Sequence, residues 1–136
     1  AEDFSREMGM PLVKRGPALE QIYGRSTIAV AAAAAGVQSM DVIWTALDDL
    51  DGIAAEADQA RSLGFTGKAA IHPDQLAPIN RAFSPGDDEI TYAKEVLAVY
   101  EAAVAGGTGA INYKGAFLEE PVIARARHVL ALADRG

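Results

Sequence analysis

The sequence contains no cysteine, and this absence excludes disulfide bonds, thiolate catalysis and cysteine-based metal sites. No apolar run approaches the roughly 18 residues that a membrane-spanning helix needs, and the acidic start of the chain lacks the apolar core of a signal peptide. Basic residues are few, 12 against 19 acidic ones, so the net charge is −7. A nucleic-acid partner is not expected, because duplex backbones require clustered lysine and arginine. Together these absences favour a cytoplasmic protein.

Apolar residues make up 50% of the 136 residues, and many of them are alanines, which favour helix. Helical and strand-like segments alternate over the first part of the chain. The predicted order is a helix from about Pro17 to Ala35 before Gly36, a strand at 40–44, a helix capped within 48–52 and ended by Gly64, a strand at 65–73, and a helix at 75–82. This alternation predicts parallel strands with crossover helices, hence an α/β fold.

The remainder of the chain changes character. A long helix follows Pro85, and its predicted apolar stripe is Ile90, Ala93, Leu97, Tyr100 and Val104. A small hairpin is predicted over residues 109–118, and Pro121 suits the start of a final helix. Only two or three strands are expected in the whole chain, whereas a closed (β/α)₈ barrel needs about 250 residues.

The sequence has no nucleophile elbow, phosphate-binding loop or paired-histidine metal motif. Residues 64–75 instead read G-F-T-G-K-A-A-I-H-P-D-Q. This segment resembles the G-F-x-G-K-x-x-I-H-P-x-Q signature of the citrate lyase β-subunit family, part of the HpcH/HpaI aldolase superfamily. The family's N-x-x-F-x-P, E-I and G-x-M-I-D-x-P-V segments have counterparts at residues 80–85, 89–90 and 115–122, and residues 1–4 resemble the tail of its G-x-E-D-hydrophobic strand.

The resemblance implies a fold and a metal. Residues 1–84 would be the C-terminal part of a (β/α)₈ TIM barrel, about its last three strands, and residues 85–136 would be a helical C-terminal lid. Family members bind Mg²⁺ through an aspartate and a glutamate. Asp3 matches the aspartate, while the glutamate and the arginine for the substrate carboxylate are expected before residue 1. The alternative for Asp3 is a solvated acid at the end of the chain.

Three further residues are candidates for the site. Glu119 stands where malyl-CoA lyase-like relatives have a lid aspartate proposed as acid/base at the thioester α-carbon. Glutamate can transfer the same proton, but it is one methylene longer, which implies a differently shaped substrate or loss of the role; alternatively, Glu119 and Glu120 cap the helix at Pro121. Lys68 and His72 are candidates for holding coenzyme A or phosphopantetheine. Alternatively, Lys68 is solvated and His72 makes a local backbone hydrogen bond.

The resemblance implies an enzyme, a Mg²⁺-dependent carbon–carbon lyase. Its substrate would be a 3-hydroxyacyl-CoA or acyl-carrier thioester, such as citryl-, malyl- or citramalyl-CoA, and its products an acyl thioester and an α-keto acid. The 136-residue chain alone is expected to be inactive. The alternatives are a malyl-CoA-type thioesterase of the same family and a non-catalytic oligomerisation module. A homo-oligomer is expected, a trimer or hexamer in which the lid reaches a neighbouring subunit.

Overall fold

The computed structural model describes residues 2–11, 19–107 and 111–134, and the chain divides into two compact units, Ala1–Phe83 and Ser84–Gly136. The first contains α1 (Glu2–Glu7), α2 (Ile22–Ala35), β1 (Met40–Asp41), α3 (Leu50–Leu63), β2 (Gly67–Lys68) and α4 (Leu76–Phe83), with 3-10 turns at Leu19–Gln21 and Pro73–Gln75. The second contains α5 (Asp87–Ala105), β3 (Asn112–Tyr113), β4 (Ala116–Phe117) and α6 (Glu120–Ala133). The predicted helix-rich α/β fold is confirmed. No helix within the described ranges is long and apolar enough to cross a membrane.

The first unit contains two parallel strands. β1 pairs with β2 in the register Met40 opposite Gly67 and Asp41 opposite Lys68. Each strand is only two residues long, so the strands predicted over 40–44 and 65–73 are much shorter than expected. Residues 1–4 were expected to match the tail of a strand, but residues 2–7 form helix α1.

Local sequence signals determine where α3 begins and where α2 and α3 end. The Asp49 carboxylate accepts a hydrogen bond of 2.8 Å from the Gly52 N–H, as the predicted cap of α3 requires. Gly36 and Gly64 follow α2 and α3 with φ of 67° and 96°, the left-handed conformation that glycine adopts at low cost. The predicted ends of these two helices are therefore confirmed.

Each unit has its own apolar core. In the first, α3 packs against α4 through Ile53, Ala57, Ile79 and Ala82, and a second cluster joins Ala29, Ala60 and Phe65. In the second, α5, α6 and the segment that contains the predicted hairpin enclose Ala93, Val96, Ile111, Leu118, Ile123 and Ala126. Val96 is fully buried while Val104 is 56% exposed, so the predicted stripe on α5 is wrong at its far end.

Candidate functional site

The carboxyl ends of β1 and β2 lie at one edge of the sheet, because the strands are parallel and in register. In open α/β sheets, ligands bind in the crevice outside these carboxyl ends. The last residue of β1 is Asp41 and the last residue of β2 is Lys68. Both are buried, at 3% and 4% exposure. The edge where a site is expected therefore begins with a buried pair of opposite charges.

Asp41 is held by a bidentate arginine from helix α2. Arg25 Nε donates to Asp41 Oδ1 at 3.0 Å, and Arg25 Nη2 donates to Asp41 Oδ2 at 2.8 Å. The third nitrogen, Nη1, donates to Gln59 Oε1 on α3 at 2.8 Å. Paired N–H···O bonds of this kind fix the orientation of a carboxylate as well as stabilising its charge. Arg25 thus connects two helices to the end of β1.

Lys68 completes this buried charge network from the other strand. Its Nζ donates to Asp41 Oδ2 at 2.9 Å, to Glu56 Oε2 at 2.5 Å and to the Val42 carbonyl at 2.6 Å. An ammonium group has three donors, so its hydrogen bonds are all used within the protein. The alternative of a solvated Lys68 is wrong, since its side chain is 0% exposed. Two cations and two carboxylates balance, as buried charges require.

The loop after β2 carries His72 and ends in a fully buried glutamine. His72 Nδ1 accepts a hydrogen bond from the Asp74 N–H at 3.3 Å, so the predicted local backbone hydrogen bond is present. The His72 side chain is 42% exposed. Gln75 Oε1 accepts from the Ile71 N–H and Gln75 Nε2 donates to the Trp44 carbonyl, both at 3.0 Å. The loop is therefore tied to the segment that follows β1.

Asp3 lies in the first turn of α1 and is almost fully exposed. Its carboxylate is 91% exposed and stands 3.4 Å from the Arg6 guanidinium, one turn along the helix. Within the part of the chain that the structure describes, no group of three or more His, Cys, Asp or Glu side chains could hold a metal ion. Asp3 is chemically a suitable oxygen ligand for Mg²⁺, but alone it is only part of a site.

A groove of about 520 Å³ lies beside β1 in the first unit. Its lining is mostly apolar and includes Phe4, Ile28, Met40 and Phe65, with Gln21 among them. The Gln21 Oε1 atom is buried without a hydrogen-bond partner among the described residues. The carbonyls of residues 39 and 41 accept hydrogen bonds from the β2 side. The main-chain groups of Met40 therefore point away from β2, since alternate residues of a parallel strand bond to opposite sides.

Glu119 and Glu120 open the last helix of the second unit. Glu119 occupies the N-cap position of α6, where its carbonyl accepts hydrogen bonds from Val122 and Ile123 N–H groups, but its side chain makes no capping hydrogen bond. Glu120 lies in the first turn, 3.6 Å from Arg127. The exposed Glu119 carboxylate is thus not used as a side-chain cap, whereas Glu120 lies where a negative charge favours the helix dipole.

A second polar cluster joins the hairpin to α5. Tyr113 Oη and Lys114 Nζ both donate to Glu95 Oε2 at 2.8 Å. The hydrogen bonds from Lys114 and Tyr113 lower the pKa of Glu95, and the hydrogen bond to Glu95 raises the pKa of Lys114. Lys114 has φ of 49°, and Gly115 after it has φ of 80°, as a two-residue hairpin turn requires. The predicted hairpin is confirmed at β3 and β4.

The sequence analysis did not identify Arg25, Glu56 or Gln75 as members of a site. Arg25 could have been suspected, because it is a lone charge in a long alanine-rich helix. Glu56 gave no such signal, since a glutamate in a helix is usually solvated. Of the predicted site residues, Lys68 and His72 lie on the same strand and loop, while Asp3 lies on α1 and Glu119 in the other unit.

Known proteins resemble the chain over nearly its whole length. A citrate lyase subunit beta-like protein of Deinococcus radiodurans is 39% identical over 132 residues, which cover 96% of this chain and 45% of that protein. The mitochondrial citramalyl-CoA lyase of Homo sapiens is 32% identical over 132 residues, which cover 97% of this chain and 38% of the lyase. The chain therefore spans less than half the length of these curated relatives.

A solved structure gives the same result. The protein CitE of Mycobacterium tuberculosis, crystallised in complex with magnesium, acetoacetate and coenzyme A, matches 98% of this chain and 50% of its own, with a TM-score of 0.84 and 29% sequence identity. The family model described as HpcH/HpaI aldolase/citrate lyase matches residues 1–73, more than half of the 136 residues. The chain therefore belongs to the HpcH/HpaI aldolase/citrate lyase family.

Proposed function

We propose that the chain is the C-terminal part of a (β/α)₈ barrel lyase that cleaves 3-hydroxyacyl-CoA thioesters, or their acyl-carrier equivalents. The observation that carries this proposal is the polar network at the carboxyl ends of two parallel strands, within the residues that match the family. Active sites of barrel enzymes are built at these ends. The relatives named above as lyases support carbon–carbon cleavage over thioester hydrolysis.

The unpaired edge of β1 supports the barrel part of the proposal. Met40 lines the apolar groove, and its main-chain groups point away from β2, where another strand would satisfy them. A polypeptide strand in this groove would continue the parallel sheet beyond β1. Residues 1–84 would then supply part of the barrel and residues 85–136 the lid, which we propose reaches a neighbouring subunit of a trimer or hexamer.

The reaction breaks the bond between the hydroxyl-bearing carbon and the thioester α-carbon. The hydroxyl proton passes to solvent, the hydroxyl carbon becomes the keto group of an α-keto acid, and the α-carbon of the acyl thioester gains a proton. Glu119 in its protonated form would deliver that proton, and His72 would contact an oxygen of coenzyme A. Asp3 would supply one ligand to Mg²⁺, which when bound acts as a Lewis acid on the keto oxygen.

A chimaera with a relative that is named as a lyase tests this function. Residues 1–136 would replace the matching C-terminal part of human citramalyl-CoA lyase. We expect Mg²⁺-dependent release of an acyl-CoA and an α-keto acid, and a loss of kcat of about 10²-fold or more in Glu119→Gln. Glu120→Gln is the matched control and should retain activity. A folded chimaera that yields free CoA would favour a thioesterase, and one without turnover would leave a role in assembly.

Two simpler measurements address the remaining parts of the proposal. The isolated chain should show no Mg²⁺-dependent turnover, because its described residues offer one metal-ligand candidate and no complete cluster. Turnover by the isolated chain would contradict this. Light scattering after size-exclusion chromatography tests self-association, and a strictly monomeric chimaera would contradict the oligomer with a lid shared between subunits.

A further inference from the structure

The chain beyond β1 is bound to β2 by side chains and not by main-chain groups. The last main-chain hydrogen bond between the two segments runs from the Ala69 N–H to the Asp41 carbonyl at 3.1 Å. After the end of β1 at Asp41, the carbonyls of Val42 and Trp44 accept hydrogen bonds from the side chains of Lys68 and Gln75. The regular alternation of main-chain groups in the strand no longer applies to these two carbonyls.

The observed strands end where side chains take over from main-chain donors. β2 ends at Lys68. The carbonyls of Val42 and Trp44 require donors, and they accept hydrogen bonds from the side chains of Lys68 and Gln75. Lys68 and Gln75 therefore join the strand and loop that carry them to the segment after β1.

The loop held in this way carries His72 in a defined hydrogen-bonding geometry. Gln75 also accepts from the Ile71 N–H, and its own N–H donates to the His72 carbonyl at 3.1 Å. His72 Nδ1 lies 3.3 Å from the Asp74 N–H and 3.6 Å from the Asp74 carboxylate. When Nδ1 accepts from the N–H, a neutral ring carries its proton on Nε2. That Nε2–H is the donor a ligand oxygen can use, since the ring is 42% exposed.

We propose that Lys68 and Gln75 are positioning residues that hold the His72 loop against the continuation of β1, so that the ring presents an Nε2–H donor to an oxygen of the substrate. The assignment rests on the proposed function for the identity of the ligand, but not for the geometry. It replaces direct binding of coenzyme A by Lys68 with an indirect role. The ligand chemistry is an oxygen acceptor, either a thioester carbonyl or a phosphate oxygen.

Nitrogen-15 NMR of the 136-residue chain at neutral pH tests this assignment. In the unmodified chain the His72 ring should show a protonated Nε2 and a bare Nδ1. Gln75→Met introduces an apolar side chain of similar length and removes both hydrogen bonds of the Gln75 side-chain amide. In this variant we expect mixed His72 tautomers and about tenfold faster exchange of the Ile71 amide, the order expected for one lost buried hydrogen bond. Gln38→Met, at an exposed glutamine, is the matched control.

Three results overturn the assignment: a proton on Nδ1 in the unmodified chain, an unchanged tautomer in Gln75→Met, or the same change in Gln38→Met. The first of these needs no variant, so a failure of Gln75→Met to fold leaves the test intact. Adding coenzyme A or inorganic phosphate to the same sample, and to the chimaera, separates the proposed role of His72 in ligand binding from the positioning role of Lys68 and Gln75. A correct tautomer whose Nε2 signal ignores both ligands contradicts the proposed role of His72 in binding, while the positioning role stands.

Discussion

Replacing Lys68 by methionine should lower the free energy of unfolding of the first unit by about 3–5 kcal/mol, the cost of removing one partner from a buried ion pair. Methionine retains most of the apolar stem, so the expected loss of stability comes mainly from removing the positive charge. Glu56 would lose its 2.5 Å contact to the ammonium, whereas Asp41 would keep both hydrogen bonds from Arg25. Since whole domains are stable by only about 5–15 kcal/mol, the first unit of the variant should be close to unfolding.

Urea unfolding followed by tryptophan fluorescence measures this loss directly. Trp44 is the single tryptophan of the chain and its carbonyl accepts from Gln75, beside the network. Lys94→Met, at an exposed lysine of α5, is the control. The double variant Lys68→Met with Glu56→Met should regain much of the loss, because apolar replacements of a whole buried pair are often neutral or stabilising.

Two outcomes would refute the reasoning. One is a single variant whose stability lies within about 0.5 kcal/mol of the Lys94→Met control, the range of ordinary surface substitutions. The other is a double variant no more stable than the single one. In that case the cost would come from lost packing of the lysine stem and not from the uncompensated carboxylate.

Three further predictions concern packing and pH. Gly52→Ala should destabilise the protein by about 1–3 kcal/mol, although alanine favours helix, because its Cβ would stand 2.5 Å from the Trp44 ring; a raised Tm would contradict this. Ile123→Ala, at a side chain of 0% exposure, should cost about 2–5 kcal/mol and reduce hydrogen-exchange protection in α6. Because the pKa of Glu95 is lowered in the folded protein, its stabilisation is present above the ordinary value and is lost as pH falls through the lowered one. Exchange at the Leu118 amide should therefore accelerate in acid beyond its intrinsic pH dependence, and Glu95→Gln should abolish that excess.

The helices could be predicted because their signals are local. Asp49 caps α3 through a residue three positions away, and Gly64 ends it through its own backbone freedom. The strands could not be delimited in this way, since their length depends on where a distant segment stops pairing. The run at 40–44 leaves the ladder after Asp41, where side chains satisfy the carbonyls of Val42 and Trp44.

The candidate site likewise has a part that the sequence predicted and a part that it did not. The motif at residues 64–75 was sufficient to select Lys68 and His72 and to assign the family. It gave no indication that the ammonium of Lys68 is fully used inside the protein. That depends on Glu56 and Asp41, which are 12 and 27 residues away along the chain. No periodicity within one segment encodes such a pairing.

The sequence by itself determined the family, the α/β class, the ends of α2 and α3, and the hairpin, because each depends on neighbouring residues or on a contiguous motif. Only the tertiary structure decided that Lys68 is a buried member of a charge network, that Gln75 binds the segment after β1, and that Asp3 is an exposed residue of a helix. The physical reason is that burial removes water as a partner. A charged or polar group must then find its hydrogen bonds wherever the fold brings a complementary group within about 3 Å.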